Sequence, residues 1–364
     1  EDTIEVSVNK QKASSPSGKS KGKYETPSYR KSLSQSISDV NNLKKSIANV
    51  EINSFDDLAI VEKIIKKQFK LKNAKQFGAN ALFALESAIL KALSASKNKE
   101  LWQIINPHAK KIPIPLGNAV GGGMHSHNKE HPEFQEFLII PKENSIEKNV
   151  RIMDYVYSRV KNILKSFKIN DEGALQTSLN NEQILELLSR FKSEAKVGID
   201  IAASAFYKNN NYCYKNKCLN RTAQINYINS LIKDYNIFYL EDPLEENDFL
   251  GFSKINKKNS LICGDDLTVT HIDRLKKAIK IKSINAMIIK PNQNGSLLEL
   301  AEVFKLCKKH NIKTILSHRS GETLDSAIAD YAFGFQADFI KTGIATKWRE
   351  CKLKRLIEIE KSLK

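Results

Sequence analysis

Ile237-Phe238-Tyr239-Leu240-Glu241, Ser260-Leu261-Ile262-Cys263-Gly264-Asp265 and Ala286-Met287-Ile288-Ile289-Lys290 decide how this chain folds. Each is a short apolar run that ends on an ionisable residue and gives way to a stretch of helical character. The same grammar occurs upstream at Phe137-Leu138-Ile139-Ile140 and Lys196-Val197-Gly198-Ile199-Asp200. It recurs downstream at Thr314-Ile315-Leu316-Ser317-His318 and Asp338-Phe339-Ile340-Lys341. The closing residues 200, 241, 265, 290, 318 and 341 are separated by 41, 24, 25, 28 and 23 positions. One strand plus one helix fits such spacings, since a full βαβ unit of roughly 30 or more residues counts a second strand. Strands alternating with helices imply a parallel sheet. Burial on both faces explains why the runs are continuously apolar. Six or more units favour an α/β fold closed into a (β/α)₈ barrel, in which the closing residues gather at the C-terminal mouth.

Working outward, Thr3 to Val8 alternates like a strand, and the Ser/Lys/Gly-rich run Lys10 to Ser38 reads as a long loop. Asp39 to Ser96 is helical in pattern, with Ala79 to Leu90 reading as a buried helix. Pro107 and Ile112-Pro113-Ile114-Pro115 then mark a boundary near residue 108. The expected organisation is a smaller N-terminal α+β capping domain over 1–108 and a barrel domain over 109–364.

The 364 residues with 41% hydrophobic content can bury a core of that size. The 58 Lys and Arg against 41 Asp and Glu leave a net charge of +17, which suits an anionic partner. The lysines are scattered and no RRM-, KH- or helix-turn-helix-like pattern appears, so a solvated surface is preferred to nucleic-acid binding. No segment approaches the roughly 20 apolar residues of a membrane span, and Glu1 to Val8 lacks a signal-peptide pattern. A cytoplasmic protein is expected. Its five cysteines, Cys213, Cys218, Cys263, Cys307 and Cys351, lack metal or redox spacing and are expected to be free thiols.

Asp200, Glu241 and Asp265 close three successive units. A single strand-end Asp is ordinarily a helix N-cap, but three carboxylates at one barrel mouth repel one another unless a cation neutralises them. Oxygen ligands point to a hard ion such as Mg²⁺. Lys290, His318 and Lys341 close the next three units. Lys290 beside a divalent ion would have its protonated form disfavoured, which suits a general base. His318-Arg319-Ser320-Gly321-Glu322 offers a guanidinium fork and a hydroxyl for a phosphate or carboxylate. A divalent cation with a cationic rim describes a pocket for a small, multiply anionic substrate. Glu136 and Glu172 are further acids in loops, and Glu172 before Gly173 is a candidate general acid.

These segments together resemble the enolase family. Gly264-Asp265-Asp266-Leu267-Thr268-Val269-Thr270 and Ser317-His318-Arg319-Ser320-Gly321-Glu322-Thr323 carry the resemblance most specifically. Glu241-Asp242-Pro243, Lys290-Pro291-Asn292-Gln293, Gly122-Gly123-Met124-His125-Ser126-His127-Asn128 and Asp171-Glu172-Gly173 add to it. The resemblance implies Mg²⁺-dependent, reversible dehydration of 2-phosphoglycerate to phosphoenolpyruvate. Under it Lys290 removes the C2 proton and Glu172 protonates the departing hydroxyl, assisted by Glu136 and His125. Asp200, Glu241 and Asp265 would hold one Mg²⁺, and Ser20 would help hold a second that arrives with substrate. Arg319 and Ser320 would take the phosphate, His318 and Lys341 the carboxylate and hydroxyl end. The resemblance also implies a homodimer or a higher homo-oligomer.

The chain departs from the family pattern at Lys19 and Lys21 around Ser20, and at Met124 and His127 around His125. Two extra residues lie between His125 and Glu136. Gly18-Lys19-Ser20 ends like a P-loop, but Ala13 stands where that motif needs Gly. Dehydration of an acid sugar would use the same carboxylates, yet it would not call for Arg319 and Ser320.

Overall fold

The computed structural model describes residues 2–18, 22–126, 128–166 and 168–363. Its N-terminal part opens with a hairpin of strands β1 (Glu5–Val8) and β2 (Gln11–Ser14). Asn9 and Lys10 both adopt left-handed φ, 47° and 68°, the conformation that a two-residue hairpin turn with matching twist requires. Strand β2 falls inside the run that the sequence reads as loop, because Asn-Lys lacks the Gly of the usual turn signal. Helices α1 (Leu33–Ile47), α2 (Leu58–Phe69), α3 (Ala79–Ser96) and α4 (Leu101–Ile105) follow.

Helix α3 is apolar nearly all round and buried to match, as such a helix must be. It packs the hairpin on one side and the barrel on the other. Asn80 Oδ1 accepts from Asn292 Nδ2 at 3.0 Å, Glu86 Oε2 accepts from Leu297 N–H at 2.7 Å, and Tyr331 donates its hydroxyl to Ser87 Oγ at 2.8 Å.

The barrel strands are β3 (Ile114–Gly121), β4 (Glu136–Pro141), β5 (Ala195–Asp200), β9 (Tyr239–Glu241), β10 (Leu261–Gly264), β11 (Ala286–Ile289), β12 (Lys313–Ser317) and β13 (Phe339–Lys341). Between β5 and β9 lies a small three-stranded sheet, β6 (Tyr207–Lys208), β7 (Asn211–Cys213) and β8 (Cys218–Asn220). The barrel closes in the order β10-β11-β12-β13-β3-β4-β5-β9. The expected barrel and smaller N-terminal unit are therefore present, with two corrections.

First, the sheet is not uniformly parallel: β4 runs antiparallel to both β3 and β5. An apolar run carries no mark of strand direction, so Phe137–Ile140 read like the others. Second, β3 lies in the stretch that its prolines made look broken. Pro115 pairs with Ile340 on the β13 side, whereas pairing with β4 begins only at Gly117, so Pro115 displaces no ladder bond.

Side chains alternate across the barrel wall. Leu116, Leu138, Tyr239, Cys263, Ile288 and Ile315 plug the interior as one cluster. Outward residues such as Ile199, Leu240, Ile262 and Met287 join the layer beneath the helices. The cysteine expectation is also corrected. Cys213 and Cys218 face each other across the β7–β8 pairing, with Cα atoms 4.1 Å apart, and are joined as a disulfide. Sequence separation alone did not place them opposite each other. Cys263, Cys307 and Cys351 are free.

Candidate active site

Parallel strands deliver their last residues to one rim. Asp200, Glu241 and Lys341 are the final residues of β5, β9 and β13. Asp265, Lys290 and His318 each stand one residue beyond β10, β11 and β12. Glu136 begins β4, and the reversal of that strand puts its beginning on the same rim. Glu136 is the register partner of Asp200, and Asp200 that of Glu241.

The ring order sorts these groups by charge. Asp200, Glu241 and Asp265 occupy the consecutive strands β5, β9 and β10, while Lys290, His318 and Lys341 follow the consecutive strands β11, β12 and β13. One arc of the mouth is anionic and the next is cationic. Lys290, after β11, stands four strands away from Glu136 on β4, diametrically across a ring of eight.

Lys341 ties the arcs together. Its Nζ lies 2.9 Å from Asp200 Oδ2, 2.8 Å from Glu241 Oε2 and 3.2 Å from Glu136 Oε2, with all four side chains almost wholly buried. Burial works against its charge, but the Asp200, Glu136 and Glu241 carboxylates outweigh it and hold the lysine well above its ordinary pKa. Burial first, and Asp200 after it, push Glu241 up to about 8 despite Lys341. Burial likewise raises Glu136 well above the carboxylate range, with Glu172, Asp200 and Glu241 adding to it.

Lys290 pairs with Asp265 Oδ2, and Gln293 Nε2 donates to Asp265 Oδ1 at 2.9 Å. Burial pulls Lys290 down, but Asp265 prevails and its pKa stands above the ordinary value. The sequence expectation of a disfavoured ammonium counts a divalent charge beside Lys290 and so concerns the metal-bound site. The protein itself presents a carboxylate there.

His318 accepts from Arg349 Nε at 3.1 Å through its Nδ1. Burial first, then the Arg349 charge, hold its pKa well below the usual value, so the ring is neutral. An arginine donor at Nδ1 leaves the ring proton on Nε2. Arg319 forms a two-pronged ion pair with Glu25 from the N-terminal segment, Nη1 to Oε2 at 2.9 Å and Nη2 to Oε1 at 3.2 Å. Glu172 arrives on the loop before the helix Asn181–Ser189. Asn170 Oδ1 caps its backbone N–H at 3.0 Å, and Asn118 Nδ2 of β3 reaches its Oε2 at 3.4 Å.

Gln135, Glu136, Glu172, Asp200, Lys290, Ser317, His318, Arg319, Ser320 and Lys341 line one small, polar cleft at this rim. Ser20 lies outside the described residues. The backbone of His125 belongs to the single turn Gly123–His125. Sequence reasoning missed Gln135, Glu25, Arg349 and the two donors Asn118 and Gln293. Only Gln293 had a signal, within Lys290-Pro291-Asn292-Gln293.

The donor set suits a divalent cation. Among the described residues, no hydrogen-bond donor reaches the buried Glu241 Oε1, although Oε2 of the same group is bonded. Acid oxygens of Asp242, Asp265 and Asp266 lie within 4.8 Å of one another. Asp242, however, is committed to the backbone: its two oxygens accept from Asp265 N–H at 3.0 Å and Asp266 N–H at 2.7 Å. It shapes the Asp265 turn through these two bonds.

Residues 109–364 match the family model of the enolase C-terminal TIM barrel domain. Over nearly its whole length the chain is similar to proteins named enolase. It is 36% identical to that of Methanosphaera stadtmanae, covering 97% of this chain and 90% of the relative. It is 34% identical to that of Picrophilus torridus, covering 96% and 91%, and 36% identical to that of Sulfurisphaera tokodaii, covering 95% and 87%. With the closed barrel, the paired arcs of charge and these likenesses in view, the chain belongs to the enolase family of lyases.

Proposed function

We propose that this chain catalyses the reversible, Mg²⁺-dependent dehydration of 2-phosphoglycerate to phosphoenolpyruvate, serving glycolysis and gluconeogenesis in the cytoplasm. The observation that carries this reading is the placement of Lys290 and the Glu136–Glu172 side on opposite walls of one small cleft, with the acidic arc between them. A proton beside a carboxylate is very weakly acidic, and its removal leaves a doubly charged fragment. Only charge fixed in advance around those oxygens lowers that barrier enough.

In this mechanism Asp200, Glu241 and Asp265 would hold one Mg²⁺, and Ser20 would help to hold a second. When bound, the cations would supply positive charge against that growing on the substrate carboxylate and would offset the Asp265 charge that keeps Lys290 protonated. Lys290, as the free amine, takes the C2 proton, and the electron pair spreads onto the carboxylate. The pair then returns to form the C2–C3 double bond as the C3–O bond breaks, and Glu172 gives its proton to the leaving hydroxyl, which departs as water. Glu136 and His125 assist on that wall. Arg319 and Ser320 grip the phosphate, while His318 donates its Nε2 proton and Lys341 its ammonium to the carboxylate and hydroxyl end. Residues 1–108 act as a capping domain for the barrel, and the working form is a homodimer or higher homo-oligomer.

The test is direct: purified protein, 2-phosphoglycerate and Mg²⁺, with phosphoenolpyruvate followed by absorbance and EDTA as the control. Turnover that appears with Mg²⁺ and stops with EDTA is expected. Saturating metal and substrate without product would defeat the proposal.

A further inference from the structure

Tyr239 is an anomaly in the barrel plug. It belongs to the cluster formed by Leu116, Leu138, Cys263, Ile288 and Ile315, where an aliphatic side chain would fill the space without a polar atom to satisfy. It is fully buried, as is Glu241. The two residues are two apart on β9 and so share the inward face, with Tyr239 one layer below the rim. The Tyr239 hydroxyl donates to Glu241 Oε2 at 2.6 Å, and Lys341 donates to the same oxygen at 2.8 Å. The other oxygen, Oε1, is the buried atom that no donor reaches among the described residues. One oxygen of the acid is thus doubly held from below and beside, and the other is left presented.

We propose that Tyr239 is a positioning residue for the metal: its hydroxyl fixes the Glu241 carboxylate so that Oε1 faces the divalent cation. The inference rests on the metal reading above and adds a group to it that touches neither metal nor substrate. Partners that orient a ligand in this way commonly matter about 10- to 100-fold in metal affinity or activity when removed. A hydroxyl that merely filled space would show no such effect on metal binding.

The experiment is a calorimetric Mg²⁺ titration of wild type, Tyr239→Phe and Ile288→Val, each as the full chain stripped with EDTA. Ile288→Val disturbs the same plug without touching Glu241, and so sets the effect of packing alone. Tyr239→Phe is expected to weaken Mg²⁺ binding by about 10-fold or more, with kcat at saturating Mg²⁺ changed far less. Ile288→Val should bind as wild type does. Tyr239→Met, which removes the hydroxyl without keeping the ring, is titrated alongside and should weaken binding too, even if the Phe variant does not fold. Folded hydroxyl-free variants that bind Mg²⁺ within about twofold of wild type would overturn the assignment, as would a loss matched by Ile288→Val. Failure of wild type itself to bind Mg²⁺ would instead remove the metal reading on which it stands.

Discussion

Replacing Lys341 by Met keeps a chain of similar length and removes the ammonium that Glu136, Asp200 and Glu241 share. Removing one partner of a buried ion pair costs about 3–5 kcal/mol, because the other partner stays desolvated and unpaired. Here the acids have a partial escape, which is to take up a proton. Glu241 stands at about 8 even with Lys341 present, and losing a nearby cation can only raise it further. A carboxyl whose folded pKa is raised adds stability that is complete below its unfolded value and disappears as pH climbs through the folded value. The stability gap between wild type and Lys341→Met should therefore widen with pH, from about 3 kcal/mol near pH 6 toward about 5 kcal/mol near pH 9. Urea unfolding in EDTA at the two pH values, followed by fluorescence and circular dichroism, measures this. A gap below about 1 kcal/mol, or one that narrows toward pH 9, would refute the shared-cation reading of Lys341.

Lys290→Ala should lower kcat by about 10²–10⁴-fold, the usual worth of a positioned general base, while Mg²⁺ binding is no weaker because Asp265 loses its competing ammonium. A kcat within about tenfold of wild type removes Lys290 from the base role. Thiol titration in denaturant should find Cys263, Cys307 and Cys351 before reduction and Cys213 and Cys218 in addition after it. All five titrating at once would rule out the disulfide.

Much of the fold was legible because strands buried on both faces advertise themselves as apolar runs, and because their last residues are chemically distinctive. Asp200, Glu241, Asp265, Lys290, His318 and Lys341 were read as a group from that rule, and the barrel does bring them to one rim. Strand β3 was hidden by Pro113 and Pro115, whose effect depends on which neighbour pairs at that level. The reversal of β4 was hidden because direction is set by the connection and not by composition. Residues that act through others left fainter traces still. Arg349 reaches His318 from the C-terminal helix Lys347–Ser362, and Glu25 reaches Arg319 from nearly three hundred positions away. Tyr239 was in plain sight but counted as one more apolar letter in its run.

The reversed strand also bears on how this catalyst could diversify. In an ordinary barrel unit, the segment leaving the catalytic rim must become a helix and travel to the far end before the next strand. Between β3 and β4 it simply turns back, and the described residues 122–126 and 128–135 belong to an arch pinned by Gly122 N–H to Gln135 O at 2.9 Å and Gly123 N–H to Pro132 O at 2.9 Å. Lengthening that arch changes neither stagger nor closure of the staves, since both feet stay where they are. Extra residues ahead of Glu136 would be accommodated there, which makes the arch a place where access to the reaction can be remodelled while the machinery beneath stays fixed.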